Sequence, residues 1–280
     1  MHRGYVPIDA QTLRSMYVDQ RLTTQEIAAR LGCGASTVGR RLRFFGIAAR
    51  PRGPDPGGDC ALPPASEPRW SREMAWLVGL IATDGNLSKT GRTMSISSID
   101  VELLEMARRC LGIANRVARA SGGWGKGGYR LQWGGRNFYQ WLVGLGLTPR
   151  KSLTLGPLVV PDEYFPDFFR GCIDGDGTVL VYADRFHAAK KASYVYQRLY
   201  VSLVSASERF IAWMRQTIQR LLDLRGAVHL KRKPGRRPCW VLRYSKSASI
   251  RLLRWMYHSA DVPCLARKRD KAEMFLSGRS

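Results

Sequence analysis

Apolar positions along this chain switch between two periods, and the same switches occur twice in the same order. In "WLVGLIATDG", residues 76 to 85, Leu77, Leu80 and Ile81 stand three and four apart, the spacing of one buried helix face. "FFRGCIDGDG", residues 168 to 177, repeats the arrangement with Phe169, Cys172 and Ile173. "SISSIDVELLEMARR" (95 to 109) and "SLVSASERFIAWMRQ" (202 to 216) each read as a strand running into a helix. So do "YRLQWGGRNFYQWL" (129 to 142) and "WVLRYSKSASIRLL" (240 to 253), and each half then ends on a lysine, Lys151 in "TPRKS" and Lys268 in "LARKRDK". Landmarks in one order define an internal repeat and predict an α+β body.

Ahead of this body lies a small head. "TTQEIAARLGCGASTVGRRLRFFGI" shows two short helical patterns around a glycine turn. Thr23 and Glu26 have capping-box spacing, Gly32 is placed to leave the first helix with positive φ, and Ser36 is placed to cap the second. Val38 and Leu42 then face the core, and an earlier helix over 10–19 groups Leu13, Met16 and Tyr17. The pattern resembles a helix-turn-helix DNA-binding domain over residues 1–47, with 36–44 as recognition helix and Arg40, Arg41 and Arg43 as its DNA contacts. A three-helix packing unit is the alternative. Residues 48–70 hold six prolines and three glycines and read as a linker. The repeats are expected over 71–160 and 161–280.

Composition narrows the function. A formal net charge of +23 over 280 residues and a pI near 10.4 point to a polyanionic partner, nucleic acid first, with a solvated basic surface or a ribosome-associated protein as the plainer readings. Six cysteines lie scattered without a CxxC pair beside only four histidines, which argues against a zinc finger. No apolar run spans a membrane and the start lacks the core of a signal peptide, so a cytoplasmic protein is expected.

The two helical stretches align without a gap: Gly79 with Gly171, Ile81 with Ile173, Asp84 with Asp176, Gly85 with Gly177. Gly79 and Gly171 would allow two helix backbones to approach closely, and Gly85 and Gly177 would end the helices. Asp84 and Asp176 then sit at helix C-termini, where the dipole already presents partial negative charge. Brought together, they repel further unless a cation lies between them. Carboxylates, carbonyls, water and phosphate oxygens suit Mg²⁺.

These residues resemble the single-chain, two-motif LAGLIDADG homing endonuclease family, over about 210 residues. The resemblance implies two pseudo-symmetric αββαββα repeats, a helix pair at their seam, and two sheets forming a saddle for double-stranded DNA. It implies a monomer that cuts a long site by Mg²⁺- or Mn²⁺-dependent hydrolysis. Asp84 and Asp176 would be metal ligands, joined by backbone oxygens near Thr83 and Gly175, and Lys151 and Lys268 would assist at water or phosphorus. The first motif departs from the pattern at Ala82, where the second keeps Asp174. Thr83 is bulkier than the usual residue, which would loosen the helix pair slightly.

Basic, amide and aromatic residues of the strand regions are candidate DNA contacts. In the first repeat these are Arg92, Arg119, Lys126, Arg130 and Gln132. In the second they are Arg185, His187, Lys190, Lys191, Tyr196, Arg198, Lys231, Lys233, Arg236, Arg237 and Arg243. "KRKPGRRP" (231 to 238) reads as a hairpin with Pro234 and Gly235 near its turn. The halves differ at nearly every such position, so an asymmetric site is expected. Two other readings are a catalytically inactive transcription regulator on the same fold and an intron RNA-binding maturase. A gene product of an intron, mobile element or phage is expected rather than a protein-splicing element.

Overall fold

The computed structural model describes residues 8–20, 22–49, 68–120, 127–186, 193–235 and 237–278. It divides into two compact units, Met1–Asp55 and Pro56–Ser280. Most of the proline-rich stretch, residues 50–67, lies outside the described residues.

In the first unit Asp9 caps α1 (Ala10–Arg14) by accepting from the Thr12 amide at 2.8 Å, and the chain continues through a π turn over Ser15–Asp19. α2 (Thr24–Leu31) starts at the expected capping box. The Glu26 amide donates to Thr23 Oγ1 at 3.1 Å and the Thr23 amide to Glu26 Oε2 at 2.8 Å. Gly32 ends it at φ 64. α3 (Ala35–Phe44) is capped by Gly34, not Ser36. The Gly34 carbonyl already accepts from the Thr37 and Val38 amides, so the helix begins earlier and Ser36 stands exposed in its first turn. Leu13, Tyr17, Ile27, Val38 and Leu42 form the core.

The second unit runs α4 (Arg72–Asp84), β1 (Gly85–Leu87), β2 (Thr93–Ser98), α5 (Val101–Leu111), β3 (Ala118–Arg119), β4 (Tyr129–Gly134), α6 (Arg136–Gly144). The order then recurs as α7 (Phe165–Asp176), β5 (Gly177–Asp184), β6 (Tyr196–Ser205), α8 (Glu208–Leu222), β7 (Ala227–Lys231), β8 (Cys239–Tyr244), α9 (Lys246–Met256), followed by α10 (Ala266–Leu276). The fold is α+β. Its two antiparallel sheets have the matching orders β1-β2-β4-β3 and β5-β6-β8-β7.

Strand alternation sends one face of each sheet inward. Met94 pairs with Trp133 and Ile96 with Leu131 on the buried face of the first sheet, as Leu203 pairs with Leu242 and Val201 with Tyr244 in the second. α4 and α7 pack against each other at the seam, and glycine makes this possible. A Cβ on Gly79 would lie 2.1 Å from the Phe168 carbonyl oxygen, and one on Gly171 2.0 Å from that of Trp76.

Two expectations about these helices change. Gly85 and Gly177 follow the helices in extended backbone, φ −82 and −90, not in the left-handed conformation. Glycine is required there for space, since a Cβ would fall 2.5 Å from the Ile81 carbonyl oxygen or the Ile173 Cα. Each helix therefore passes into its strand without a loop. Thr83 does not open the pair either: its counterpart in the repeat is Gly175, whose missing Cβ would lie 2.1 Å from Thr83 Oγ1. The bulk on one helix occupies the space left by the other.

Candidate functional site

Helix pairing carries Asp84 and Asp176, the last residues of α4 and α7, to one place. Both line a cavity of about 250 Å³ on one side, with Ser97, Ser98, Asp100 and Arg267, and one of about 480 Å³ on the other, with Ser95, Arg130, Gln132 and Lys151. Asp84 is half-buried, whereas Asp176 is open to solvent on its cavity side. Burial, and next the Asp176 charge, push the Asp84 carboxyl up to about 7. Burial also raises Asp176, and the two nearby lysines oppose the rise. Neither carboxylate receives a hydrogen bond from the described residues.

Lys151 and Lys268 lie at matching places, the first on a 3₁₀ turn (Lys151–Leu153), the second on α10. Both are buried, and burial lowers each to about 8, against the pull of the aspartates. Their ammonium groups face backbone. Lys151 donates to the Gly85 carbonyl. Lys268 donates to the carbonyls of Ile173 at 2.6 Å, Asp174 at 2.8 Å and Gly177 at 2.8 Å, with Gly175 at 3.4 Å. The expectation of a lysine directed at water or phosphorus is thus corrected: these lysines neutralise the negative ends of the motif helices and hold the turns that carry the aspartates. Only contacts across the fold reveal those partners.

Asp174 has a separate task. Buried in α7, it accepts from Trp76 Nε1 at 2.8 Å and from the Leu265 amide at 3.1 Å, which ties the first copy and the approach to α10 to α7. Burial raises it to about 6, against the hydrogen bond from Trp76.

The paired carboxylates fit a hard divalent cation. They are crowded, short of hydrogen-bond donors and held where burial penalises their charge, all of which a cation relieves. Among the described residues no cluster of three or more His, Cys, Asp or Glu encloses a metal. Further ligands must come from backbone carbonyls such as those of Thr83 and Gly175, from water or from substrate.

Beyond the carboxylates lie the outward sheet faces. In the first sheet Arg130 pairs with Ser97, Gln132 with Ser95, and Asn86 with Ser95 on one outward face. Arg119 pairs with Tyr129, so it stands on the opposite parity and apart from Arg130 and Gln132. The short edge strand β3 sets that register, which local sequence does not reveal. Arg92 is exposed in the turn before β2.

In the second sheet Arg198 pairs with Tyr182, Tyr196 with Asp184, Arg243 with Ser202 and Ala227, and Lys231 with Cys239, all on the outward face. The Arg243 guanidinium lies 3.7 Å from the Tyr200 ring centroid. Arg198 is held by Asp184 at 2.9 Å. Arg185 follows β5, while Lys233 and Arg237 flank the expected turn, where Gly235 has φ 68; all three are exposed. Sequence reasoning missed Tyr182 and Tyr200, which the period of two counted from Gly177 would have placed. Lys126, His187, Lys190, Lys191 and Arg236 lie outside the described residues.

In the separate first unit, Arg40 and Arg43 are exposed on α3, and the half-buried Arg41 lies 5.8 Å from the Phe44 ring.

No family model matches the chain, and no curated protein matches it. Its fold is similar to several solved structures. The homing endonuclease I-DmoI in complex with DNA and Ca is 15% identical, with a TM-score of 0.47, covering 73% of this chain and 97% of that one. The LAGLIDADG homing endonuclease I-SmaMI bound to cleaved DNA is 12% identical at 0.47, covering 77% and 93%. Full-length DUF199/WhiA from Thermatoga maritima is 13% identical at 0.47 and covers 76% of this chain. The chain spans 63% of the length of WhiA. I-DmoI has also been solved in complex with DNA and Mn.

Proposed function

We propose that the chain is a site-specific, divalent-metal-dependent DNA endonuclease that makes a staggered double-strand break in a long asymmetric site. The observation that carries this reading is the meeting of Asp84 and Asp176 between two cavities at the ends of paired helices. Held by these carboxylates and by backbone oxygens near Thr83 and Gly175, Mg²⁺ or Mn²⁺ supplies Lewis acidity toward the phosphodiester and water.

The chain's own residues do the rest. Gly79 and Gly171 fix the separation of the helices, and hence that of the carboxylates. Lys151 and Lys268 bind the carbonyls next to each aspartate and lend positive charge to a site that receives phosphate. Outward residues of both sheets, among them Gln132 and Arg243, face base edges, and the basic surface meets phosphates. The arginines of α3 supply a further contact from the first unit, which raises the effective concentration of the body at its site.

Incubating the chain with Mg²⁺ and a random-sequence duplex library tests the proposal. Staggered double-strand breaks are expected, and Asp84→Asn or Asp176→Asn should lower their rate by at least about 100-fold with DNA binding retained. Full activity in either variant removes the catalytic assignment. Binding without breaks favours a regulator, and preference for structured RNA over duplex DNA favours a maturase.

A further inference from the structure

Each buried lysine is preceded by an arginine, Arg150 in the first copy and Arg267 in the second. Their surroundings differ. Arg267 reaches across the seam to Asp100, the residue that precedes α5 in the first copy. Nη2 lies 2.8 Å from Oδ2, and Nε 3.2 Å from Oδ1. Both residues line the 250 Å³ cavity with Asp84 and Asp176. In the repeat, Asp100 corresponds to Ser207. The Ser207 hydroxyl donates to the Leu155 carbonyl at 2.5 Å and accepts from the Phe210 amide at 3.5 Å, so this position serves the fold alone. Arg150 is exposed and has no carboxylate partner among the described residues.

An ion pair this exposed, with side chains 52% and 22% accessible, contributes little to stability. Its geometry matters more. A two-bonded guanidinium fork fits a phosphate as well as a carboxylate, and here it stands beside the proposed cleavage centre.

We propose that Arg267 is a phosphate-binding residue held in reserve by Asp100: in DNA-free protein the carboxylate occupies the fork, and a backbone phosphate beside the aspartate pair displaces it. No proton or covalent bond changes hands. The exchange exists in one copy only, since Arg150 has no such competitor, so the two DNA strands meet unequal surroundings. The proposal rests on the reading of this groove as a DNA site, but not on cleavage.

Its test is therefore binding. Affinity for the random-sequence duplex library, measured in EDTA across a salt series, is compared for wild type, Asp100→Ser, Asp100→Asn, Arg267→Ala and the Asp100→Ser/Arg267→Ala double variant. Releasing Arg267 should steepen the slope of log K against log salt by about 0.9, one added phosphate contact, and tighten binding roughly tenfold at low salt. Arg267→Ala should cost more affinity in the Asp100→Ser background than in wild type. Asp100→Asn, which keeps the shape of the side chain, should behave like Asp100→Ser. An unchanged slope in both Asp100 variants overturns the proposal, even in a chain that cuts DNA. A steeper slope in a chain that never cuts supports Arg267 and sinks the endonuclease reading, while absence of DNA binding sinks both.

Discussion

The two copies of the repeat agree along their seam and differ on either side of it. At the seam each contributes a glycine to the helix contact, an aspartate to the shared cavities and a buried lysine to the neighbouring carbonyls. Away from it α4 carries Ala75, Val78 and Ala82 where α7 carries Asp167, Arg170 and Asp174, all of them buried. Arg170 donates to the Met256 and Pro263 carbonyls and to Asp167, which also meets His258 at 3.1 Å. Those charges hold the segment between α9 and α10 onto α7. The outward faces diverge as well: Asn86, Ser95, Ser97 and Gln132 on the first sheet, Tyr182, Tyr200, Arg198 and Arg243 on the second. Symmetry is kept where two equivalent carboxylates must meet, and lost where each half has its own neighbour.

The agreement is broken most severely at the glycines. Gly79→Ala and Gly171→Ala should each destabilise the body by more than about 3 kcal/mol, because backbone blocks the added methyl and no side chain can yield. Denaturant unfolding measures both, and a large effect at one glycine only would show that the seam is less symmetric than it looks. The difference between α4 and α7 comes next. Arg170→Val leaves Asp167 buried without its main partner and should cost about 3–5 kcal/mol. Giving α7 the residues of α4, with Asp167→Ala added, should recover part of that loss in the same unfolding assay. No recovery would mean that Arg170 acts chiefly through the Met256 and Pro263 carbonyls.

A smaller effect separates the sheets. Arg243→Ala should cost DNA binding about 1–3 kcal/mol, with relaxed preference at one base position, as should Gln132→Ala at a position in the other half of the site. Selection of preferred sites from a library reads both, and a shift at the same base pair from either variant contradicts the assignment of one half to each sheet.

The smallest effect is on stability against pH in EDTA. Asp84 and Asp174, raised to about 7 and about 6, bind more protons folded than unfolded. Their contribution is full below 3.8 and declines as pH rises toward about 7. The lysines, lowered to about 8, hold fewer protons folded than unfolded, so their contribution grows from about 8 up to 10.5. Thermal unfolding should therefore show a shallow minimum between pH 7 and 8 from these groups, flattened on its acid side by Asp84→Asn. A divalent cation should fill the minimum, since it favours the ionised carboxylates.

Much of the seam was legible in the sequence, because glycine and aspartate recur at identical spacing in two apolar helices. The α+β alternation was equally plain in the strand and helix periods. Other features depend on partners far along the chain. That Lys268 binds carbonyls of residues 173 to 177, or that Arg170 binds those of Met256 and Pro263, follows from a close return of the chain that no local pattern encodes. Gly85 and Gly177 were read correctly as helix ends but for the wrong reason, because a glycine kept for space and one kept for positive φ look alike in sequence. The side occupied by Arg119 turned on the register of a two-residue strand.

Both copies lie on one polypeptide, so every residue of the groove occurs once. In a homodimer of a single repeat, each mutation would be written twice and each recognised base would need a mirror partner. Here a new side chain at position 132 or 243 is answered by one base change on one arm of the target. Protein and target are free to drift together by single steps, while the shared centre between the arms stays as it was.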